Sequence, residues 1–253
     1  MSIANSGHDE NGKYTGGRAG DQTGGEWEVR SWYNRPWNCV ARFDTTVGND
    51  IALLAKHAAN NDKIGYDQSQ RTTFWTRLKN AKDYDPKNIT VACEADCSSG
   101  VAAIVKAVGY RLGLSKLKNV DEKTYTGNEV AHLKAAGAKI LTDSKYLTSD
   151  KYLLPGDILI NEKSHTAINL TTGSASKGTT TNTATASGTK YRVTATALNY
   201  RAGAGTNYAV YGSYPNGTVI TITKTKTVAD GTVWGKASNG YWSRLTTYTK
   251  KVS

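Results

Sequence analysis

Cys97 is the residue whose surroundings point most directly to chemistry. It stands in Cys93-Glu94-Ala95-Asp96-Cys97-Ser98-Ser99-Gly100-Val101, where a polar stretch gives way to apolar residues at helical spacing, Val101, Ile104, Val105 and Val108. A cysteine at a helix start meets free N–H groups and the positive end of the helix dipole. Both lower the thiol pKa and favour the thiolate, the reactive form. The same N–H groups can donate to an oxyanion. A small buried core residue is the bland reading of the same stretch. A nucleophilic cysteine also needs a base. Of the four histidines, His57 and His132 fall inside helical patterns at surface-like positions and read as solvated, and His8 lies in the polar N-terminal stretch. His165 is different. It follows Leu154-Pro155-Gly156-Asp157-Ile158-Leu159-Ile160, a turn leading into a strand, then a short loop, and it opens Thr166-Ala167-Ile168-Asn169-Leu170. The pattern predicts a hairpin with the imidazole at a strand start, where a rigid element can aim it.

Other residues near these carry weaker signals. Asp96 can meet a cationic substrate group or cap the helix, and Ser98 and Ser99 can bind substrate or the helix end. Cys93 reads as structural, with a metal site or a resolving thiol as alternatives, and Cys39 reads as core. Trp27, Trp32, Tyr33 and Trp37 can line a groove, although alternation sends half of any strand inward. No phosphate loop, nucleotide fingerprint or zinc signature occurs, so no cofactor and no metal is expected.

The elements that must position these groups divide the chain in two. Residues 174–188 hold no large apolar side chain and read as a flexible Ser/Thr/Gly/Ala linker between domains 1–173 and 189–253. The first domain mixes helices and strands. Asn49/Asp50 are expected to cap a helix through Ile51, Leu54, Ala55 and Ala58. Thr126 and Glu129 form a capping-box pattern before Val130 and Leu133, and Gly137 closes that helix. Strands are expected at 28–33, 39–43, 138–141, 157–160 and 166–170, which makes an α+β domain. After the linker, alternating stretches and the turn signals Pro215-Asn216-Gly217, Asp230-Gly231 and Asn239-Gly240 predict a small all-β barrel or sandwich.

Composition restricts the partners. The 253 residues carry 32 Lys+Arg against 21 Asp+Glu, a formal net charge of +11. The charge splits at the linker: residues 1–173 carry a net of +2 and residues 174–253 a net of +9. A basic tail implies an anionic partner. Nothing in it resembles a nucleic-acid recognition helix, and no apolar run spans a membrane. Three cysteines in this length argue against a disulfide framework, and no secretory signal opens the chain.

Asp96-Cys97-Ser98-Ser99 at a helix start, Leu154-Pro155-Gly156-Asp157 and His165 at a strand start, 68 positions after the cysteine, together resemble the NlpC/P60 cell-wall peptidases, which share the papain-like fold of the CHAP amidases. The resemblance implies a Cys/His/polar triad that cuts peptidoglycan, and it implies for Tyr66, in Ile64-Gly65-Tyr66-Asp67, a place beside the oxyanion. The family's third polar residue lies on the strand after the histidine strand, and here Leu170 runs into the linker. The block that follows this strand in phage lysins of the type resembles residues 9–43. The chain therefore looks like a circular permutant, and the third residue falls on Asn5, in Ile3-Ala4-Asn5-Ser6. Asn169 is a rival on the histidine's own strand, about 13 Å away at ~3.3 Å per residue. Residues 189–249 resemble a bacterial SH3-like domain, best in Leu198-Asn199-Tyr200-Arg201-Ala202-Gly203.

The resemblance implies a phage endolysin-like hydrolase of the peptide stem, made in the cytoplasm and acting on bacterial peptidoglycan after release. It implies a monomer with no nucleic-acid partner and no membrane insertion. An N-acetylmuramoyl-L-alanine amidase of the same fold is the alternative enzyme, and a non-catalytic wall-binding or tail protein the alternative of another class.

Overall fold

A computed structural model describes residues 1–179, 188–201, 203–208, 210–238 and 240–252. The chain forms two units, Met1–Thr179 and Thr180–Ser253. In the first, the chain runs β1 (Ser2–Ser6), β2 (Trp27–Ser31), β3 (Cys39–Arg42), α1 (Thr45–Ala58), β4 (Ile64–Tyr66), α2 (Thr73–Leu78), β5 (Cys93–Ala95) and α3 (Cys97–Leu112). It continues through α4 (Ser115–Lys118), α5 (Thr126–Ala135), β6 (Lys139–Leu141), α6 (Ser144–Leu147), β7 (Ile158–Asn161), β8 (His165–Asn169) and α7 (Ser174–Thr179). Six strands make one antiparallel sheet in the order β2-β1-β8-β7-β3-β6, and β4 and β5 pair separately in parallel.

Both faces of the six-stranded sheet are covered, which is why β7 reads as an unbroken apolar run. Alternate residues go to opposite sides. Ala4, Cys39, Ala41, Ile158, Ile160 and Ile168 face the helices, and Ile3, Val40, Leu159 and Ala167 join Trp37, Leu141 and Leu153 on the other face. α3 is apolar nearly all round and lies buried against the sheet. Gly100, in its first turn, has no side chain because the Trp27 ring occupies that space; a Cβ there would sit 2.2 Å from Trp27 Cζ2. The Leu154-Pro155-Gly156-Asp157 turn is packed as tightly. Gly156 has φ +80°, and a Cβ on it would lie 2.0 Å from the Gly48 carbonyl of α1. Asp157 closes the turn by accepting from the Leu154 N–H at 2.8 Å and pairing with Arg42 Nη2 at 2.5 Å. The hairpin that carries His165 is thereby fixed to α1 and β3.

Local signals misled at several points, each because a tertiary partner won. α1 begins earlier than expected, with its cap at Asp44 rather than at Asn49/Asp50: Asp44 accepts from Thr46 and Val47 N–H, and Asp50 is buried against Arg111 Nε at 3.0 Å. Glu129 does not form a capping box. Asn128 accepts from the Tyr125 N–H at 2.9 Å instead, and Glu129 turns inward and is fully buried. His57 and His132 are not simply solvated: His57 Nδ1 pairs with Asp85 at 2.7 Å and His132 Nδ1 with Thr124 Oγ1 at 2.7 Å. Within the expected linker, Ser174–Thr179 is helical. Gly173 anchors its start by donating to the Leu153 carbonyl at 2.9 Å, in a place where a Cβ would meet the carbonyls of Asp150 and Lys151. Residues 180–187 lie outside the described residues.

The second unit is a seven-stranded antiparallel sheet. Its strands are β9 (Thr189–Val193), β10 (Ala197–Arg201), β11 (Val210–Pro215), β12 (Val219–Thr227), β13 (Val233–Ala237), β14 (Trp242–Arg244) and β15 (Thr249–Lys251), in the order β11-β10-β14-β13-β12-β9-β15. Val193, Leu198, Ile220, Ile222, Ala237 and Leu245 form its core. Trp234 is buried there, while Tyr200, Tyr214, Tyr211 and Tyr241 are half-buried and pack ring on ring with centroids 4.8–5.2 Å apart.

Candidate active site

Cys97 is the first residue of α3, and the helix start is built by its neighbours. Asp96 is the N-cap: its Oδ1 accepts from the Ser99 N–H at 2.7 Å, and the Ser99 hydroxyl accepts from the Asp96 N–H at 2.9 Å. Arg71, from the segment before α2, clamps this cap. Its Nε lies 2.8 Å from Asp96 Oδ2, its Nη2 donates to Asp96 Oδ1 and Ser98 Oγ at 3.1 Å, and it also donates to the Thr124 carbonyl. Ser98 donates in turn to Asp96 Oδ1 at 3.1 Å. Asp96 therefore spends its oxygens on the helix and on Arg71, and Ser99 faces the Arg71 carbonyl at 2.9 Å.

Asn5, Tyr33, Tyr66, Asp96, Cys97, Ser98 and His165 all line one open cleft of about 560 Å³. They come from β1, the segment after β2, β4, α3 and β8. β1 lies between β2 and β8, with Ala4 opposite Ile168, and this pairing sets Asn5 beside the start of the histidine strand. His165 Nε2 donates to Asn5 Oδ1 at 2.7 Å, and the Tyr33 hydroxyl donates to the same oxygen at 3.1 Å. An amide oxygen that receives both fixes the tautomer: Nε2 carries the proton and Nδ1 remains an acceptor. Trp37 stacks on the imidazole with ring centroids 6.2 Å apart. Asn169 does not approach His165; its amide donates to the carbonyls of Leu154 and Thr171 at 2.7 and 2.6 Å.

The charge state of the pair follows from burial. Burial pushes the Cys97 thiol up to about 12. The carboxylates of Asp96 and Glu129 push the same way, and the backbone N–H groups of Thr166 and Ser98 pull it back only in part. Burial also pulls His165 down to about 4, helped by the cations Arg35 and Arg30. The helix terminus alone would favour a thiolate, but here desolvation outweighs it. Each of these shifts favours the neutral form of its own group, the thiol of Cys97 and the uncharged imidazole of His165. Tyr66 is buried on β4, accepts from Gln68 Nε2 at 3.0 Å and is kept protonated by burial, so its own O–H is available to the cleft. Cys93 and Cys39 are buried and away from the cleft lining, with thiols pushed up by burial to about 12 and about 11. No group of three or more His, Cys, Asp or Glu fit for a metal occurs among the described residues.

Sequence reasoning singled out Tyr33 and Trp37 only as aromatic surface, and it passed over Arg71 altogether. Arg71 carries no local signal, since its partners lie 25 and 53 positions along the chain. Of the aromatic group, Tyr33 lines the cleft, while Trp27 packs on Phe74 in the core and Trp32 on the opposite sheet face.

The thiol of Cys97, the imidazole of His165 and the amide of Asn5 thus line one cleft of the first, α+β unit. The endolysin-like domain family matches residues 3–176, and the chain belongs to that family. Membership suggests a cell-wall lytic function, with peptidoglycan as substrate. No curated protein and no solved structure matches the chain. No helix among the described residues is long and apolar enough to cross a membrane.

Proposed function

We propose that this protein is a thiol-dependent peptidoglycan hydrolase that cuts a peptide bond of the wall stem, with Cys97 as nucleophile, His165 as base and Asn5 as the residue that orients the imidazole. The observation that carries this reading is the 2.7 Å hydrogen bond from His165 Nε2 to Asn5 Oδ1 in the cleft that Cys97 lines. It leaves Nδ1 to accept the thiol proton as sulfur attacks the carbonyl carbon. The carbonyl oxygen gains the negative charge, which the Cys97 N–H and the Tyr66 hydroxyl stabilise. The imidazolium then protonates the departing amine, leaving a thioester. His165 next takes a proton from water, hydroxide displaces sulfur, and the proton returns to the thiolate. Both shifts lie toward the neutral forms, which supports proton transfer that accompanies attack rather than preceding it.

In this reading the first unit is a papain-like domain of the NlpC/P60 kind with its elements permuted, so that the strand carrying the third polar residue comes first. The neighbourhood of β1 and β8 supports that order. The second unit is an SH3-like wall-binding module. Its seven short antiparallel strands and its small core support this, and the basic character of residues 174–253 fits an anionic wall. A module of this kind raises local concentration at the substrate even when its own affinity is weak.

The test is clearance of susceptible cell walls by the full chain and by Cys97→Ala. Loss of clearing in a variant that melts like the parent is expected. Clearing equal to the parent's overturns the thiol mechanism. New amino-terminal groups in the digest identify the bond: an interior stem residue supports peptide cleavage, and the stem's first alanine points to the amidase instead.

A further inference from the structure

The cleft contains more positive charge than it neutralises. Four cations, Arg30, Arg35, Arg71 and Lys163, and two carboxylates, Glu28 and Asp96, line it. The carboxylates are already taken. Glu28 pairs with Arg30 at 3.1 Å and Asp96 with Arg71 at 2.8 Å. Arg35 and Lys163 form no ion pair among the described residues. They stand together on the histidine side. Lys163 is exposed, two positions before His165. Arg35 reaches across to the same loop, with Nη2 donating to Ser164 Oγ at 3.1 Å, and its guanidinium lies beside the Tyr33 hydroxyl that holds Asn5. The partners of the Arg35 side chain are thus neutral, and most of its donors are unspent. Its nearness to the base is independently visible in the downward pull that it exerts on His165.

A guanidinium held this way recognises a planar anion, and a flexible ammonium beside it adds charge without geometry. Resting on the reading that the substrate is a wall stem peptide, we propose that Arg35 and Lys163 bind a free carboxylate of the stem adjacent to the scissile bond, so that the enzyme prefers carboxylate stems over amidated ones. Two stem carboxylates have this chemistry, the α-carboxylate of the second residue and the free carboxylate of a diamino acid at the third.

The experiment compares soluble stem peptides with both carboxylates free, with either one amidated, and with both amidated. Hydrolysis by the full chain is read as kcat/KM, and binding to the full-length Cys97→Ala protein by calorimetry. Amidation of one position is expected to lower kcat/KM about tenfold, chiefly through KM, and to weaken binding about as much. Which single amidation does so identifies the carboxylate. Arg35→Gln is expected to collapse the carboxylate-to-amide ratio to within about twofold, Arg35→Lys to keep part of it, and Lys163→Gln to reduce it. Equal binding of carboxylate and amide peptides by Cys97→Ala overturns the proposal, as does an undiminished ratio in Arg35→Gln. Because the binding arm uses a protein without the thiol, a failure of the thiol mechanism leaves this result readable on its own.

Discussion

Asn5→Ala isolates the contribution of the residue that ties the N-terminal strand to the histidine. In the parent, Asn5 Oδ1 receives His165 Nε2–H at 2.7 Å and the Tyr33 hydroxyl at 3.1 Å, and Asn5 is 7% exposed. Truncation removes one acceptor from two donors. A neutral hydrogen bond contributes about 1 kcal/mol net, so the loss in stability is about 2 kcal/mol before water from the open cleft replaces part of it. The melting temperature should fall by only a few degrees. Activity should fall further. Without the acceptor, the imidazole is free to hold its proton on Nδ1, where it cannot take the thiol proton, and the ring loses one of its two orienting contacts. About 1 kcal/mol for the tautomer and about as much again for orientation lowers kcat by roughly thirtyfold, at ~1.36 kcal/mol per decade. The assay is the initial rate of amine release from soluble wall fragments across pH, together with a thermal melt. The pH profile adds a second criterion. Burial sets His165 at about 4, below its ordinary 6.5, so activity should hold from neutral pH downward and fail as pH drops through about 4. Asn5→Asp places an anion on the imidazole, raises its pKa and moves that acid limb upward. An Asn5→Ala protein within threefold of the parent, with an unmoved acid limb in Asn5→Asp, refutes the assignment of Asn5 as the orienting residue.

Three further outcomes are expected. Burial, with the carboxylates Glu26, Asp67 and Glu10 acting in the same direction, raises Glu94 to about 7 from 4.5. The folded protein therefore holds a proton there that the unfolded chain releases, and stability falls as pH rises from about 4.5 through 7. Glu94→Gln keeps an oxygen for the Gly20 N–H, and should gain about 2 kcal/mol relative to the parent at pH 8 and little at pH 4, measured by urea unfolding at both. Arg71→Met strands the buried Asp96 carboxylate at the start of α3; a loss of about 2–4 kcal/mol and at least a tenfold fall in rate on soluble fragments should accompany each other, measured by melting and initial rate. Because residues 174–253 carry a net charge of +9 against +2 for the rest, raising NaCl from 50 to 500 mM should release the full chain from sedimented walls while changing kcat on soluble fragments less than twofold.

The places of Cys97 and His165 in the fold were legible from the sequence because they rest on local rules. Asp96 followed by a helical run announced where α3 begins, and Cys97 is its first residue. The Pro-Gly turn, the apolar run after it and the short loop beyond announced a hairpin, and His165 opens its second strand. Both signals depend on residues a few positions apart. The errors fall where a distant partner outbid the local preference: Asp44 rather than Asn49/Asp50 at α1, because Asp50 is claimed by Arg111; Asn128 rather than Glu129 at α5, because Glu129 goes into the core; and a helix at 174–179, where the chain is anchored at Gly173.

The sequence by itself therefore determined which residue types are available to react, which elements carry them and how unevenly charge is divided along the chain. It did not determine their protonation or their company. Cys97 at a helix start reads as favouring the thiolate, and it is tertiary packing, with the carboxylates of Asp96 and Glu129, that pushes its thiol upward and pulls the His165 imidazole downward. Asn5 is singled out in the sequence only by the resemblance, and it is the insertion of β1 between β2 and β8 that brings it to His165 across 160 positions. Arg71 on Asp96 and Arg35 above Tyr33 and Ser164 have the same origin. Desolvation and long-range pairing depend on which surfaces meet in three dimensions, and no window of sequence contains both partners.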